Sequence, residues 1–450
     1  MIPSLNIHKL VRWLLASVCL FLLYSCSVSH RIHKFAQKEL FNDSVLANGH
    51  AGIFIVDANT NHPIYDYQGD KYFVPASNTK IISLYTGLKY LGDSLPGLAY
   101  LDGKDTMYVM ATGDPSFLHP DFAKQPVFDF LKQQSKPIAM TNNNWQSQAW
   151  GSGWMWDDYN SAYMAERSPF PIYGNVIRWI QIRDSSSISA MARNESFIYS
   201  EPDINWKVNF SEDTGATKFA AERDFSENKF FITQGKEPYV SIEVPFITNG
   251  FSSALDLLKD SLGKTIELTT TAIQPRHMIH SQPVDSLFRP MMHRSDNFFA
   301  EQTLLMSAYA KLGVMSDSKM IDYMLSNDLK DFPQRPRWDD GSGLSRYNLF
   351  SPRDFVWILQ KLKNEFGIER LKKIFPTGGT GTLKNYYKKD SASIFAKTGS
   401  LSGVVCISGY MYGKTGKLMI FSVLVNNDTR VAWTIRRKVE TFLEKVRDLN

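Results

Sequence analysis

Residues 75–92 read PASNTKIISLYTGLKYLG, from Pro75 to Gly92, and the rest of the chain is best read outward from them. Ile81, Ile82, Leu84, Tyr85, Leu88 and Leu91 recur at helical spacing and Gly92 stops the run, which predicts a buried helix opening at Ser77. Ser77 and Lys80 stand at i and i+3, on one helical face, so the lysine amine is within reach of the serine hydroxyl. A serine hydroxyl is a weak nucleophile until a neighbouring base takes its proton. A helix start also supplies unbonded N–H groups where negative charge will develop.

Two more short motifs follow in order, Ser295-Asp296-Asn297 and Lys397-Thr398-Gly399. S-x-x-K, S-D-N and K-T-G together mark serine acyl-transfer sites of the penicillin-binding type. Each motif alone is weak here: S-x-x-K recurs at Ser226/Lys229, Ser261/Lys264 and Ser316/Lys319, and K-T-G at Lys414. Only Ser77 opens a strongly apolar helix. Lys397 ends the apolar run Ile394-Phe395-Ala396, which places it at a strand edge, whereas Lys414 falls in a hairpin turn, where a lysine is normally just solvated.

The chain has 450 residues, 43% hydrophobic, 21% charged and 13% aromatic, which excludes disordered, collagen-like and coiled-coil chains and leaves room for two or three domains. The net charge of +5 carries no long Lys/Arg block, so nucleic acid is not an expected partner. Three cysteines, Cys19, Cys26 and Cys406, are too few for a disulfide scaffold or a thiolate zinc site. His277 and His280 lack further ligands, no H-E-x-x-H occurs, and residues 409–415 are one residue short of a phosphate loop. No metal or cofactor is expected.

Residues 1–26 read as an export signal, with Lys9 and Arg12 ahead of the apolar stretch 13–24 (WLLASVCLFLLY), which is too short to span a bilayer. An uncleaved anchor is the alternative, and either places the body of the protein outside the cytoplasm. Leu23-Tyr24-Ser25-Cys26 resembles a bacterial lipobox with Cys26 as the lipidated N-terminus, although Tyr24 stands where a small residue is usual. Ordinary cleavage around Ser25–Ser27 competes with it. Membrane association is expected only through this signal or lipid.

Strands are expected at 52–56, 63–67, 394–398, 404–412 and 417–426, with helices at 296–312, 354–366 and 432–449 and a loop at 338–348. Residues 95–285 change character, with short β-like runs such as 107–110 and 239–244. The expected organisation is a signal at 1–26, a catalytic domain from 27–94 and 286–450, and a β-rich insert at 95–285.

On these motifs the chain resembles the class C low-molecular-mass penicillin-binding proteins of the D-alanyl-D-alanine carboxypeptidase/endopeptidase type (peptidase family S13). Gly113-Asp114-Pro115, Asp340-Gly341-Ser342-Gly343-Leu344-Ser345-Arg346, Gly379-Thr380-Gly381-Thr382-Leu383 and Lys397-Thr398-Gly399-Ser400-Leu401 are similar to segments of that family. The gap of 218 positions between Ser77 and Ser295 suits its inserted domain. The resemblance implies an α/β (α+β) fold of the serine DD-peptidase/β-lactamase type, an antiparallel sheet flanked by helices. It implies Ser77 as acylated nucleophile, Lys80 as base, Ser295 as proton relay and Asn297 as the group orienting Lys80 and the substrate amide. Lys397 would supply positive potential, Thr398 and Gly399 would line the carboxylate subsite, and the N–H groups of Ser77 and Ser400 would form the oxyanion hole. Trp154-Met155-Trp156-Asp157-Asp158 resembles a family segment; with it Asp158, Tyr163, Arg346 and Ser402 match positions contacting a diaminopimelate side chain. Simple readings remain beside these: a surface carboxylate for Asp158 and a structural ion pair for Arg346. Peptidoglycan peptides are the implied substrates, and β-lactams the implied covalent inhibitors. The rival functions are a serine β-lactamase and a non-catalytic β-lactam sensor or envelope scaffold.

Overall fold

The computed structural model describes residues 28–41, 49–183, 196–211 and 215–450. The expected export signal at 1–26, with Cys26, lies outside the described residues. The chain divides into two compact units, one of residues 1–78, 332–336 and 349–450 and the other of 79–331 and 337–348. The division falls inside the Ser77–Lys80 motif.

The first unit is built on a five-stranded antiparallel sheet in the spatial order Ile394–Leu401, Val404–Tyr412, Leu418–Asn426, His50–Asp57 and Pro63–Tyr67. The strands Val404–Tyr412 and Leu418–Asn426 are buried almost throughout, because helices cover both faces. Ile407, Met411, Phe421, Val423 and Val425 meet Ile435, Val439, Phe442 and Leu443 of the helix Ala432–Leu449. The alternate residues face the other way, and there Tyr410 donates its hydroxyl to the Leu359 carbonyl of the helix Pro352–Phe366 at 2.7 Å. The strand that ends at residue 398 in the sequence reading runs on to Leu401, so the whole K-T-G-S-L segment lies on an edge strand.

The second unit packs the helix Lys80–Tyr90 against Val284–His293 and Asn297–Leu312. It also carries a five-stranded mixed sheet in the order Ile266–Thr269, Ile138–Thr141, Met107–Ala111, Ser94–Asp102, His277–Pro283, and two three-stranded sheets. Pairing of Ser94–Asp102 with His277–Pro283 brings the two ends of the compositionally distinct stretch 95–285 side by side. That stretch also holds two helices, Pro126–Gln133 and Ser252–Leu262, whose apolar faces join its core through Val127, Leu131, Leu257 and Leu258. No helix among the described residues is long and apolar enough to cross a membrane.

Candidate active site

In the first unit, Ser77 sits half-buried on a single 3-10 turn, Ala76–Thr79, which runs directly into the α-helix starting at Lys80. The sequence reading opens an α-helix at Ser77; the structure opens it with this tighter turn, whose first residue, Ala76, is at φ +48°. A left-handed alanine costs about 1–2 kcal/mol, strain of the kind concentrated at functional positions. The turn rests on the edge strand. A Cβ on Gly399 would lie 2.6 Å from the Pro75 carbonyl oxygen and 3.2 Å from Asn78 N, so only glycine lets K-T-G approach this closely. Asn78 fixes the turn from the other side, donating Nδ2 to Ser408 Oγ at 2.7 Å, and Ser408 stands opposite Lys397 in the register.

Lys397 is fully buried and donates Nζ to the Thr398 carbonyl at 2.7 Å. Thr398 is half-buried; Ser400 is exposed, with its hydroxyl bonded by Arg436, and Ser402 is exposed in the turn that follows. The second K-T-G differs in every respect: Lys414 is exposed in its turn and pairs with Asp448 at 3.3 Å. Among the other S-x-x-K copies, Ser226 binds Asp224 in a surface turn and Ser316 caps the helix Asp317–Ser326.

In the second unit, Lys80 is fully buried, and its Nζ donates to Asn297 Oδ1 at 2.6 Å and to the Ser342 carbonyl at 2.7 Å. Burial pushes its pKa down to about 8, while Asp340, Glu301 and Asp296 pull it back up. The S-D-N motif divides three tasks. Ser295 takes a left-handed turn at φ +63°, Asp296 caps the helix by accepting Phe299 N at 3.0 Å, and Asn297 is the first helical residue. Asn297 also donates Nδ2 to the Tyr163 carbonyl at 2.9 Å, which leaves its Oδ1 for the lysine.

Loop 337–348 winds around Asp340, which accepts Gly343 N and Ser345 N at 2.7 Å each, Asn348 Nδ2 at 2.8 Å and Trp154 Nε1 at 3.0 Å. The winding presents the Ser342 carbonyl to Lys80. From the helix Asn297–Leu312, Glu301 accepts Ser342 N at 2.7 Å and meets Arg167 at 3.4 Å; Arg167 in turn pairs with Asp317 at 2.6 Å. Burial and the neighbouring Asp340 push the Glu301 carboxyl up, against the pull of Arg167 and the Ser342 N–H. Sequence reasoning missed Glu301 and Arg167. The available signal was Glu301, the one carboxylate on the helix Asn297–Leu312, one turn after Asn297.

Asp158 is half-buried on the 3-10 turn Trp156–Asp158 and bonds the hydroxyl of Tyr163. The second unit thus joins Asp158, Tyr163, Asn297 and Lys80 in one chain of contacts. Arg346 is exposed on the loop that carries Ser342. The first unit gathers Ser77, Lys397, Thr398, Gly399, Ser400 and Ser402. Among the described residues no group of three or more His, Cys, Asp or Glu side chains gathers as metal ligands; His277 and His280 lie exposed on their strand.

A match to the D-Ala-D-Ala carboxypeptidase 3 (S13) family spans residues 36–446. The chain is 21% identical to the D-alanyl-D-alanine carboxypeptidase DacB of Haemophilus influenzae, over 89% of this chain and 90% of that protein. It is 22% identical to a D-alanyl-D-alanine carboxypeptidase of an Actinomadura species, over 86% of this chain and 79% of that one. Its fold is similar to the crystal structure of penicillin binding protein 4 from H. influenzae, with a TM-score of 0.70 at 20% identity, covering 93% of this chain and 98% of that one.

Proposed function

Because the chain belongs to the D-Ala-D-Ala carboxypeptidase 3 (S13) family, we propose that it is a serine-type carboxypeptidase/endopeptidase of peptidoglycan stems and crosslinks, working through an acyl-enzyme at Ser77. The observation that carries this reading is Lys80: a buried amine with its pKa lowered to about 8, held between Asn297 and the Ser342 carbonyl, three residues after a serine. A base poised near the working pH combines availability with driving force.

In acylation, Lys80 takes the Ser77 proton as Oγ bonds to the carbonyl carbon of the penultimate D-alanine. The oxyanion is met by the N–H groups of Ser77 and Ser400, each contributing about 3 kcal/mol. The C–N bond then breaks, and the terminal D-alanine leaves with a proton relayed through Ser295. Lys397 and Thr398 hold its carboxylate, with Gly399 keeping the strand against the nucleophile. Water next attacks the ester, gives its proton to Lys80 and frees Ser77. β-Lactams enter the same first step and remain as long-lived esters.

Asp158 and Tyr163, with Arg346 and Ser402, hold the amino and carboxyl ends of a meso-diaminopimelate side chain, one carboxylate and one guanidinium answering a zwitterion. The leader exports the chain to the envelope, with Cys26 as the lipid attachment point. Residues 95–285 form the insert of a catalytic domain made from 27–94 and 286–450, a reading supported by the pairing of its terminal strands.

The test is digestion of defined muropeptides with product masses read out, beside labelling by a fluorescent penicillin. D-Alanine release lost in Ser77→Ala, and an adduct on Ser77 lasting minutes or longer, support the peptidase. Rapid adduct turnover supports a β-lactamase, and D-alanine release undiminished in Ser77→Ala ends the acyl-enzyme claim.

A further inference from the structure

A cluster of exposed rings stands on the same turn as Asp158. Trp156 is 69% exposed and Phe225 49%, on two segments far apart in the sequence. Their rings meet edge to face, at 6.2 Å and 87°; Phe225 also meets Tyr159 at 5.1 Å and 90° and Trp150 at 6.0 Å. Uncovered aromatic area of this kind marks a place where something docks.

The platform is held rigidly from below. Asn160 accepts Arg223 N at 2.8 Å and donates back to the Arg223 carbonyl at 3.3 Å, which staples the two segments together. The buried Arg223 guanidinium lies 5.3 Å from the Tyr159 ring and donates Nε to the Pro245 carbonyl at 2.8 Å. Asp224 accepts Ser226 N at 2.8 Å, which fixes the turn carrying Phe225. Rings ordered before binding lose little entropy when they are covered.

Charge and position select the occupant. Residues 156–160 and 223–227 carry Asp157, Asp158, Asp224 and Glu227, against Arg223, which is buried, and Lys229 just beyond, which helps hold the Asp224 carboxyl down. An anionic peptide, lipid or nucleic acid is repelled by that rim. An uncharged sugar is not: its C–H faces stack on flat rings, and its hydroxyl and acetamido groups donate to carboxylates. In the reading above Asp158 holds the end of a side chain of the stem peptide, and the glycan is joined to that same stem. Trp156 and Asp158 are the two ends of one 3-10 turn, about 4 Å apart along its axis, so the rings stand beside the site that takes the stem.

We propose that Trp156 and Phe225, backed by Tyr159 and rimmed by Asp157 and Asp224, form a stacking subsite for the amino-sugar chain to which the stem peptide is attached. The proposal rests on the assignment of Asp158 to the stem, and it makes the enzyme prefer glycan-linked peptides over free ones.

The full-length protein, Trp156→Ala, Phe225→Ala and Trp156→Phe are compared on a sugar-free pentapeptide, the matching disaccharide-pentapeptide and a fluorescent penicillin. Expected for both alanine variants is a KM about tenfold higher on the disaccharide substrate, equivalent to about 1.4 kcal/mol. Their kcat, sugar-free turnover and penicillin labelling should be unchanged, and Trp156→Phe, which keeps a ring, should retain most of the preference. Equal losses on both substrates, or no wild-type advantage from the sugar, overturn the proposal. Peptide-free glycan strands are also titrated against the protein's tryptophan fluorescence. If the wild type cleaves no stem and takes no penicillin, the enzymatic reading fails, and this titration alone decides the subsite: quenching lost in Trp156→Ala upholds it, and no quenching overturns it. Quenching by oligolysine in place of the glycan also overturns it.

Discussion

Lys80 Nζ donates to Asn297 Oδ1 across 2.6 Å, joining the first residue of one helix to the first residue of another, 217 positions later. With the Ser342 carbonyl as second acceptor, two of the amine's hydrogens are directed when it is charged, and its lone pair is freed only when a proton leaves. Burial brings that pKa down to about 8. The ammonium cannot accept the Ser77 proton, so acylation should climb as pH rises through about 8 and level off above it. Stopped-flow labelling with a penicillin across that range checks this, and a flat profile contradicts it. Asn297→Ala removes one acceptor and lets the amine swing, which should slow labelling by about a hundredfold.

Glu301→Gln probes the charge behind the lysine. The Glu301 carboxylate raises the Lys80 pKa, so its removal should move the ascending limb of the labelling profile to lower pH. The amide oxygen still accepts Ser342 N, whereas Arg167 keeps Asp317 as its one paired carboxylate beside the Gln148 and Trp150 carbonyls, and a cost of about 1–3 kcal/mol in denaturant unfolding is expected. A stability loss with the profile unmoved would make Glu301 a structural residue only.

What could be read from the sequence was local. The helix Ala432–Leu449 and the strand Pro63–Tyr67 follow residue by residue from apolar period and turn chemistry. The strand Ser94–Asp102 escaped because Pro96 and Gly97 sit inside it, and a strand interrupted so reads as a loop. The helix Val284–His293 carries Pro290, which breaks the helical pattern. In the proposed site, Ser77 and Lys80 are three positions apart, a spacing that can be read directly from the sequence. Arg167 and Glu301 are 134 positions apart, and no spacing rule links them. Asp340 shows both cases: its bonds to Gly343 N and Ser345 N are ordinary turn chemistry, while the bond from Trp154 Nε1 is set only by the fold.

Gly399→Ala tests the contact between K-T-G and the turn that carries Ser77. The added Cβ meets backbone, the Pro75 carbonyl at 2.6 Å, and backbone cannot rotate aside as a side chain could. Overpacking of this sort costs about 1–3 kcal/mol. Displacing the turn by a fraction of an ångström should lower penicillin labelling about a hundredfold in a protein that still folds. Labelling at the wild-type rate would mean that the close approach is incidental.

Asp354 should make stability depend on pH away from the site. Its carboxylate closes the capping box of the helix Pro352–Phe366, accepting Ser351 N at 2.8 Å and Gln334 N at 3.1 Å, yet burial pushes its pKa up to about 6. The unfolded chain releases this proton near pH 4, so between about pH 4 and 6 the folded state holds a proton that the unfolded state lacks. Stability contributed by the protonated form is therefore present at the acid end of that window and lost as pH rises through it, by about 3 kcal/mol for the full shift. Glu301 and Asp114, whose pKa values burial also raises, slope the same way, so the variant must be subtracted from the wild type. Asp354→Asn keeps one acceptor, gives up about 1 kcal/mol of capping and cannot titrate. Urea unfolding at several pH values should show the wild-type advantage over Asp354→Asn shrinking from acid to neutral. An advantage that is constant, or that grows with pH, would mean the buried carboxyl is already ionised at the acid end.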